Sequence, residues 1–271
     1  MFHFEILRPT VIYTDYAPIY DAIGQGAFAE ALVAHLLAAL PGPPRRALDL
    51  ACGTGAASLA LAAAGAEVVG VDRAPSMLAI ARARARDRGL PVRFLEADLR
   101  FLPIAAGGAA ARGAGEDEPV ALQPASFDLA TCLYDSLNYL TGDGELAAAL
   151  TGAAALLAPG GRLVFDLNTE HELATWDEVD QVVHDAGGIL VYNRLSYDPS
   201  TRLAHGRIVW FVREDERWWR GEETHVERAW SDAEVVAALA EAGLTLVARR
   251  TPRWEPAPPD APRIVYEAIK A

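Results

Sequence analysis

The chain has 271 residues and a mass of 29.0 kDa, with 52% hydrophobic and 23% charged residues, which suits one α/β domain with an elaboration or two small domains. Its net charge of −13 and pI near 4.9 argue against nucleic acid, whose grip needs a basic face. No apolar run is long enough to span a membrane, and two cysteines, Cys52 and Cys132, make neither a disulfide framework nor a zinc spacing, so no metal is expected.

The first residues (MFHFEILRPTVIYTDY) carry acids and lack a basic-then-apolar pattern, so they read as no secretory leader and a cytoplasmic protein is expected. An apolar stretch from Ile19 to Leu40 predicts a helix closed by Pro41-Gly42-Pro43-Pro44. Strand–helix alternation follows. Ala47 to Ala51 is a strand running into a glycine loop, Ala56 to Ala64 a helix, and Ala66 to Val71 a strand ending at Asp72. Pro75 opens a helix continued by Ser76 to Arg88, where Arg82, Arg84, Arg86 and Arg88 spread round the axis as a solvated surface.

Val92 to Glu96 and Phe127 to Leu133 are the third and fourth strands, and Leu146 to Leu157 is a helix. The fifth strand is Arg162 to Leu167, after Pro159-Gly160-Gly161. Residues 103–126, rich in Ala and Gly with acids at Glu116, Asp117 and Glu118, read as a long loop. Residues 168–230 lose helical periodicity and are rich in Val, Tyr and Trp. Turn signals at Gly187-Gly188, Asp198-Pro199-Ser200 and Glu214-Asp215-Glu216 predict an antiparallel meander of about four strands. Ser231 with Glu234 forms a capping-box pattern, and two strands (Leu244 to Arg250, Arg263 to Ile269) finish the chain. The expected fold is α/β: a seven-stranded, mostly parallel Rossmann-like sheet with helices on both faces and an inserted antiparallel sheet.

Asp49-Leu50-Ala51-Cys52-Gly53-Thr54-Gly55 lies where a strand gives way to a helix, so glycine lets backbone approach a ligand beside unpaired amides. Gly53-x-Gly55-x-x-Ser58 nearly matches a dinucleotide fingerprint too, and the loop alone does not decide. Asp49 sits badly beside a pyrophosphate and well beside a cationic or zwitterionic ligand. Asp72 ends the second strand, where a carboxylate takes both hydroxyls of a ribose, and Asp98 follows the third, where one accepts from an exocyclic amine. Each acid alone reads equally as a surface or capping carboxylate.

As an ordered set, LDLACGTG, GVDRAPSML, EADLR, SFDLATCLYDSLNYL and PGGRLVFDLN resemble the motifs of class I S-adenosylmethionine-dependent methyltransferases over residues 47–168. DSLNYL and EETHVERAW resemble a bacterial subgroup with an antiparallel sheet inserted after the fifth strand. The resemblance implies one domain over 1–271, with a core (41–167 and 231–271), an N-terminal lid (1–40) and an inserted sheet (168–230). It implies S-adenosylmethionine as cofactor, with Asp49, Ala51, Gly53 and Gly55 around its methionine part and Asp72 on the ribose. It further implies Arg73 and Met77 beside the adenine, Asp98 and the Leu99 amide at the adenine edge, Cys132 by the methionine moiety, and Tyr20 among the cofactor contacts.

Methyl transfer to a small-molecule N or O atom is the expected reaction, in a monomer or homodimer, with no nucleic-acid or membrane partner. A cofactor-binding regulatory module and a nicotinamide-dependent oxidoreductase are the alternatives. On the acceptor side Tyr13, Tyr134, Asn138 and Tyr139 are candidates, with Tyr16 and Tyr20 as lid or packing residues and Asp135 or Ser136 reading alternatively as a helix cap. Strand alternation puts Glu223, His225 and Glu227 on one face. His225 reads as a general base, with Tyr134 the second catalytic candidate, or as a histidine held in a cross-strand salt bridge on a solvent face. Trp210, Phe211, Trp218, Trp219 and Trp230 wall an acceptor pocket, form a dimer interface or pack the core.

Overall fold

The computed structural model describes residues 12–105, 111–112 and 119–271. Its helices are α1 (Ala17–Tyr20), α2 (Gly26–Ala39), α3 (Ala56–Ala63), α4 (Pro75–Asp87), α5 (Glu145–Leu156), α6 (Glu170–Leu173) and α7 (Asp232–Glu241). The strands are β1 (Arg46–Leu50), β2 (Glu67–Asp72), β3 (Val92–Glu96), β4 (Ala111–Arg112), β5 (Pro119–Val120), β6 (Phe127–Cys132) and β7 (Leu157–Asn168). They continue with β8 (Val179–Ala186), β9 (Ile189–Asp198), β10 (Leu203–Glu214), β11 (Arg217–Arg228), β12 (Leu244–Arg250) and β13 (Arg263–Lys270).

Seven strands form the main sheet in the order β12-β13-β7-β6-β1-β2-β3. β13 runs antiparallel to both its neighbours and the other pairs are parallel. Alternation along each strand explains the helices on both faces. Leu48, Ala130 and Phe165 point to a cluster with Leu146 and Leu150 of α5 and Val235 and Leu239 of α7. Ala47, Leu129 and Val164 point the other way, onto Leu32, Val33 and Leu36 of α2 and Leu61 of α3. Each fully buried leucine contributes about 1.5–3 kcal/mol relative to exposure. The chain leaves β1 toward β3 on one side and returns through β6 on the other, so a crevice opens between β1 and β6 at their carboxyl ends.

β8 to β11 form a separate four-stranded antiparallel sheet, and each expected turn signal sits at a hairpin. Ser231 caps α7 with the reciprocal Glu234 contact that its spacing announces. Gly206 and Ala204 stand opposite His225 and Glu227 in the β10–β11 ladder, leaving room on that face for polar side chains.

Three expectations need correction. The stretch from Ile19 to Leu40 is two helices, α1 and α2, because the chain turns at Gly24 (φ +86°), a backbone region that glycine enters without the strain a β-carbon brings. β7 starts at Leu157: Phe127 faces Leu157 while Leu129 faces Arg162, so Pro159-Gly160-Gly161 is a bulge inside the strand and does not precede it. The segment 103–126 carries structure, namely the β4–β5 pair and a bridge from Ile104 to Leu122. The acidic stretch Glu116 to Glu118 lies outside the described residues, as do the first eleven residues of the expected lid.

Candidate functional site

A partly enclosed cleft of about 1070 Å³, part of it open to solvent, lies at the carboxyl ends of β1, β2, β3 and β6. Asp49, Ala51, Gly53, Asp72, Arg73, Met77, Asp98, Leu99, Tyr13, Tyr20, Tyr134 and Tyr139 all line it. The three acids that spacing placed at successive strand ends therefore converge, beside residues that the family resemblance added.

The floor is anionic. Asp49 is buried, with its oxygens accepting from Ser58 Oγ at 2.6 Å and Thr131 Oγ1 at 2.9 Å. Burial, aided by the nearby Asp72 and opposed by the two hydroxyls, pushes its carboxyl up to about 6. Asp72 accepts from the Gly53 amide at 2.8 Å and the Ala74 amide at 2.8 Å, and burial raises its pKa against those bonds. The loop amide that a pyrophosphate would need is thus already claimed by a carboxylate. This donor set fits a cationic nucleoside far better than a dinucleotide.

The two glycines differ in purpose. At Gly53 (φ +53°) a Cβ would enter open space, whereas at Gly55 (φ +81°) it would meet Ala81 at 3.1 Å and the Phe94 ring at 3.2 Å. Gly55 seats the loop on α4 and β3 and does not line the cleft. Ala51 (φ +53°), Tyr134 (φ +63°), Asp135 (φ +51°) and Tyr13 (φ +67°) also hold left-handed backbone around the opening. Such residues persist only where their surroundings over-determine them.

Asp98 faces the cleft with its charge matched. Its oxygens accept from Arg100 Nε at 2.9 Å and Nη2 at 2.6 Å, and also from the Arg100 amide at 2.9 Å. Hydrogen bonding to Arg100 holds it below the usual carboxylate range. Asp98 thus caps the short turn after β3 while lining the cleft.

Other candidates move. The Cys132 thiol is sealed in the core cluster, because alternation on β6 turns the next residue, Leu133, into the cleft instead. Asn138 is fully buried: its Nδ2 donates to the Asn168 carbonyl at 3.0 Å and the Arg228 carbonyl at 2.9 Å, clasping the two sheets together. Asp135 makes no cap bond and pairs with Arg263 at 2.7 Å. Arg84 leaves the solvated set: its Nη1 donates to Asp21 at 2.9 Å and to Thr54 Oγ1 at 3.0 Å, pinning the segment before α2 onto the glycine loop.

His225 is on no solvent face. Glu223, His225 and Glu227 share one face as alternation requires, and all three are buried against the cleft wall. His225 Nδ1 lies 2.9 Å from the Tyr139 hydroxyl, which lies 2.9 Å from the Tyr13 hydroxyl. Its Nε2 faces Glu223 Oε2 at 3.4 Å along the same strand, so the contact is not cross-strand. Glu223 also accepts from the Tyr13 amide at 2.7 Å and the Tyr16 amide at 3.4 Å. Burial alone would raise Glu223, but His225 and these amides hold it below its ordinary value. Burial raises the Tyr13 and Tyr139 phenols well above theirs. Glu227, which accepts from Asn168 Nδ2 at 2.9 Å, is pushed up to about 8, first by burial and then by Asp135.

Of the inserted aromatics, Trp210 packs on Tyr16 with ring centres 5.1 Å apart and Trp230 joins the main core, while Trp218 and Trp219 are exposed. Tyr134 is a wall residue held between Phe28, 5.1 Å away, and the Arg263 guanidinium, 5.4 Å away.

The sequence reading missed one group. Asp166, fully buried on β7, accepts from the Tyr134 amide at 2.6 Å and the Asp135 amide at 3.1 Å, and it pairs with Arg263. A lone acid inside the apolar run Leu163–Asn168 signals a buried partner, but not which one.

A family profile described as a methyltransferase domain matches residues 47–112. A putative methyltransferase of Bacillus subtilis, YqeM, is 30% identical over 240 residues, 87% of this chain and 87% of that protein. The demethylmenaquinone methyltransferase of Thermus thermophilus is 40% identical over 159 residues, 56% of this chain and 62% of that protein, so this match spans less than two thirds of it. The crystal structure of an S-adenosylmethionine-dependent methyltransferase from Clostridium acetobutylicum superposes with a TM-score of 0.79 at 24% identity, covering 96% of this chain and all of that one.

Proposed function

The chain belongs to the class I S-adenosylmethionine-dependent methyltransferases, an enzyme family whose cofactor is S-adenosylmethionine, and from that premise we propose that it methylates an N or O atom of a small-molecule acceptor. The observation that carries this reading is the cleft itself, with paired carboxylates at its floor and tyrosines at its mouth. Bound there, the cofactor supplies a methyl group already activated on a sulfonium, which asks the protein for alignment and exclusion of water. Asp72 would take the ribose hydroxyls on the lone pairs that the Gly53 and Ala74 amides leave free. Met77 and Leu99 would flank the adenine, and Asp98 would accept from its amine beside the Arg100 bonds. Asp49 would balance the cationic end. Tyr13, Tyr20, Tyr134 and Tyr139 would enclose the acceptor.

The enzyme is proposed to act on freely diffusing small molecules, as a monomer or homodimer. Its excess of acid over basic residues supports this over a nucleic-acid substrate. No helix among the described residues is long and apolar enough to cross a membrane. Calorimetry with S-adenosylmethionine and with NAD tests the cofactor, and release of S-adenosylhomocysteine in the presence of an acceptor tests the reaction. Saturable NAD binding without S-adenosylmethionine binding would end the proposal. Tight cofactor binding with no turnover on any acceptor would support the regulatory-module alternative.

One pH dependence follows from Asp49. A cationic ligand binds best to the ionised carboxylate, and this carboxyl ionises at about 6 in the free protein. Affinity for S-adenosylmethionine is therefore expected to be level above about pH 7 and to weaken as pH falls through 6, by up to about tenfold per unit. Titration calorimetry across that range should show the fall in the wild type and its loss in Asp49→Asn.

A further inference from the structure

We infer that Tyr13, Tyr139, His225 and Glu223 form a proton relay out of the cleft, and that the acceptor is accordingly a phenolic or enolic hydroxyl. The inference rests on the methyltransferase reading and narrows its choice between N and O.

The polarity of the string follows from its buried end. Glu223 is anionic, holds two backbone amides and faces Nε2 of His225 at 3.4 Å. A carboxylate there draws the neutral ring's proton to Nε2 and leaves Nδ1 as an acceptor. Tyr139 then donates to Nδ1 across 2.9 Å, and Tyr13 donates to the Tyr139 oxygen across 2.9 Å. Each phenol has spent its hydrogen inward. Tyr13 lines the cleft, and its oxygen keeps lone pairs for a proton arriving from the acceptor.

The arrangement is built for transit and not for storage. Burial keeps both phenols protonated at neutral pH, so neither is a standing base. His225 and Glu223 are 3% and 6% exposed, which prevents water from short-circuiting the string at its inner end. The contact at Nε2 is loose, 3.4 Å with no hydrogen bond, and closes to an ion pair as the ring takes the relayed proton. Tyr13 touches the acceptor and is the catalytic residue; Tyr139, His225 and Glu223 act through it.

The step balances. The acceptor oxygen forms its bond to the methyl carbon with a lone pair, and the electrons of the broken carbon–sulfur bond stay on sulfur. The acceptor's O–H electrons remain on oxygen as its proton passes to Tyr13. The Tyr13 proton passes to Tyr139 and the Tyr139 proton to Nδ1, leaving imidazolium beside the Glu223 carboxylate. A hydroxyl needs this help during the transfer, because its oxygen becomes a good nucleophile only as the proton leaves. An amine loses its extra proton to solvent beforehand and attacks with a free lone pair, so it gains little from the relay.

The test uses the full chain with S-adenosylmethionine, a series of substituted phenols of graded acidity and a matched series of alkylamines, reading S-adenosylhomocysteine release. Phenols should be methylated in preference to amines. Tyr139→Phe, which deletes one hydroxyl, should lower kcat on phenols by about 10²-fold while the cofactor Kd stays within about twofold, and the loss should shrink as the phenol grows more acidic. Preference for amines, or wild-type phenol turnover in Tyr139→Phe, overturns the relay. Nitrogen-15 spectra of His225 with S-adenosylhomocysteine bound decide independently of any acceptor. A proton on Nε2 with Nδ1 shifted by Tyr139→Phe supports the relay, and a proton on Nδ1 overturns it. Failure of the wild type to bind S-adenosylmethionine would instead sink the methyltransferase reading itself.

Discussion

Arg263→Ala should cost the fold about 3–5 kcal/mol at neutral pH, because it strands two carboxylates that are out of water. Arg263 Nη1 bonds both Asp135, at 2.7 Å, and Asp166, and the Asp166 side chain has no exposed surface. The ion pair's net worth against an apolar replacement is small; removing one partner is what hurts. The sign with pH is defined. Burial already raises Asp166, and loss of the guanidinium raises it further. A carboxyl whose folded pKa lies above its unfolded value destabilises the fold at high pH, and the penalty fades as pH falls through the folded value. Denaturant melts should therefore show a deficit that narrows between neutral and mildly acid pH, while a lysine at 263 recovers part of it. A deficit under about 1 kcal/mol at pH 7 would mean the pair is solvated and the account is wrong. Because Asp166 also anchors the amides of Tyr134 and Asp135, the variant should bind acceptor more weakly than its stability alone explains.

The second large effect belongs to Asp72. Asp72→Ala is expected to weaken S-adenosylmethionine binding by about 2–3 kcal/mol, roughly a hundredfold, through lost charged hydrogen bonds to two hydroxyls. The same change frees the Gly53 and Ala74 amides, so some loosening of the loop is included in that figure. Asp72→Asn retains an acceptor oxygen and should fall between. Calorimetry on folded protein reads both, and unchanged affinity would show that the sugar sits elsewhere.

Local chemistry made most of the core readable. The strand at Ala47 to Ala51 and the glycine loop announce themselves by apolar runs and by residues suited to left-handed backbone, as do the hairpin turns at Gly187-Gly188 and Asp215. The face shared by Glu223, His225 and Glu227 was equally plain, because side-chain alternation is a property of one strand. What that face packs against was not. Glu223 meets the amide of Tyr13, 210 positions away, and Asp166 meets Arg263, 97 positions away. Such partners are chosen by topology, and periodicity carries no information about them. Cys132 failed for a smaller reason: one step of strand alternation separates the core from the cleft, and Leu133 took the outward step.

The string from Tyr13 to Glu223 also constrains how such a protein can diversify. Its members come from the leading segment, the turn after β6 and the edge strand β11 of the inserted sheet, and Glu223 grips the backbone of the first while facing the ring joined to the second. Grafting a foreign insert onto this core would leave the Tyr13 amide without its acceptor unless the opening turn were exchanged with it. These stretches are therefore bound to change together, and a chimera built at sheet boundaries alone would inherit a cleft with a broken wall.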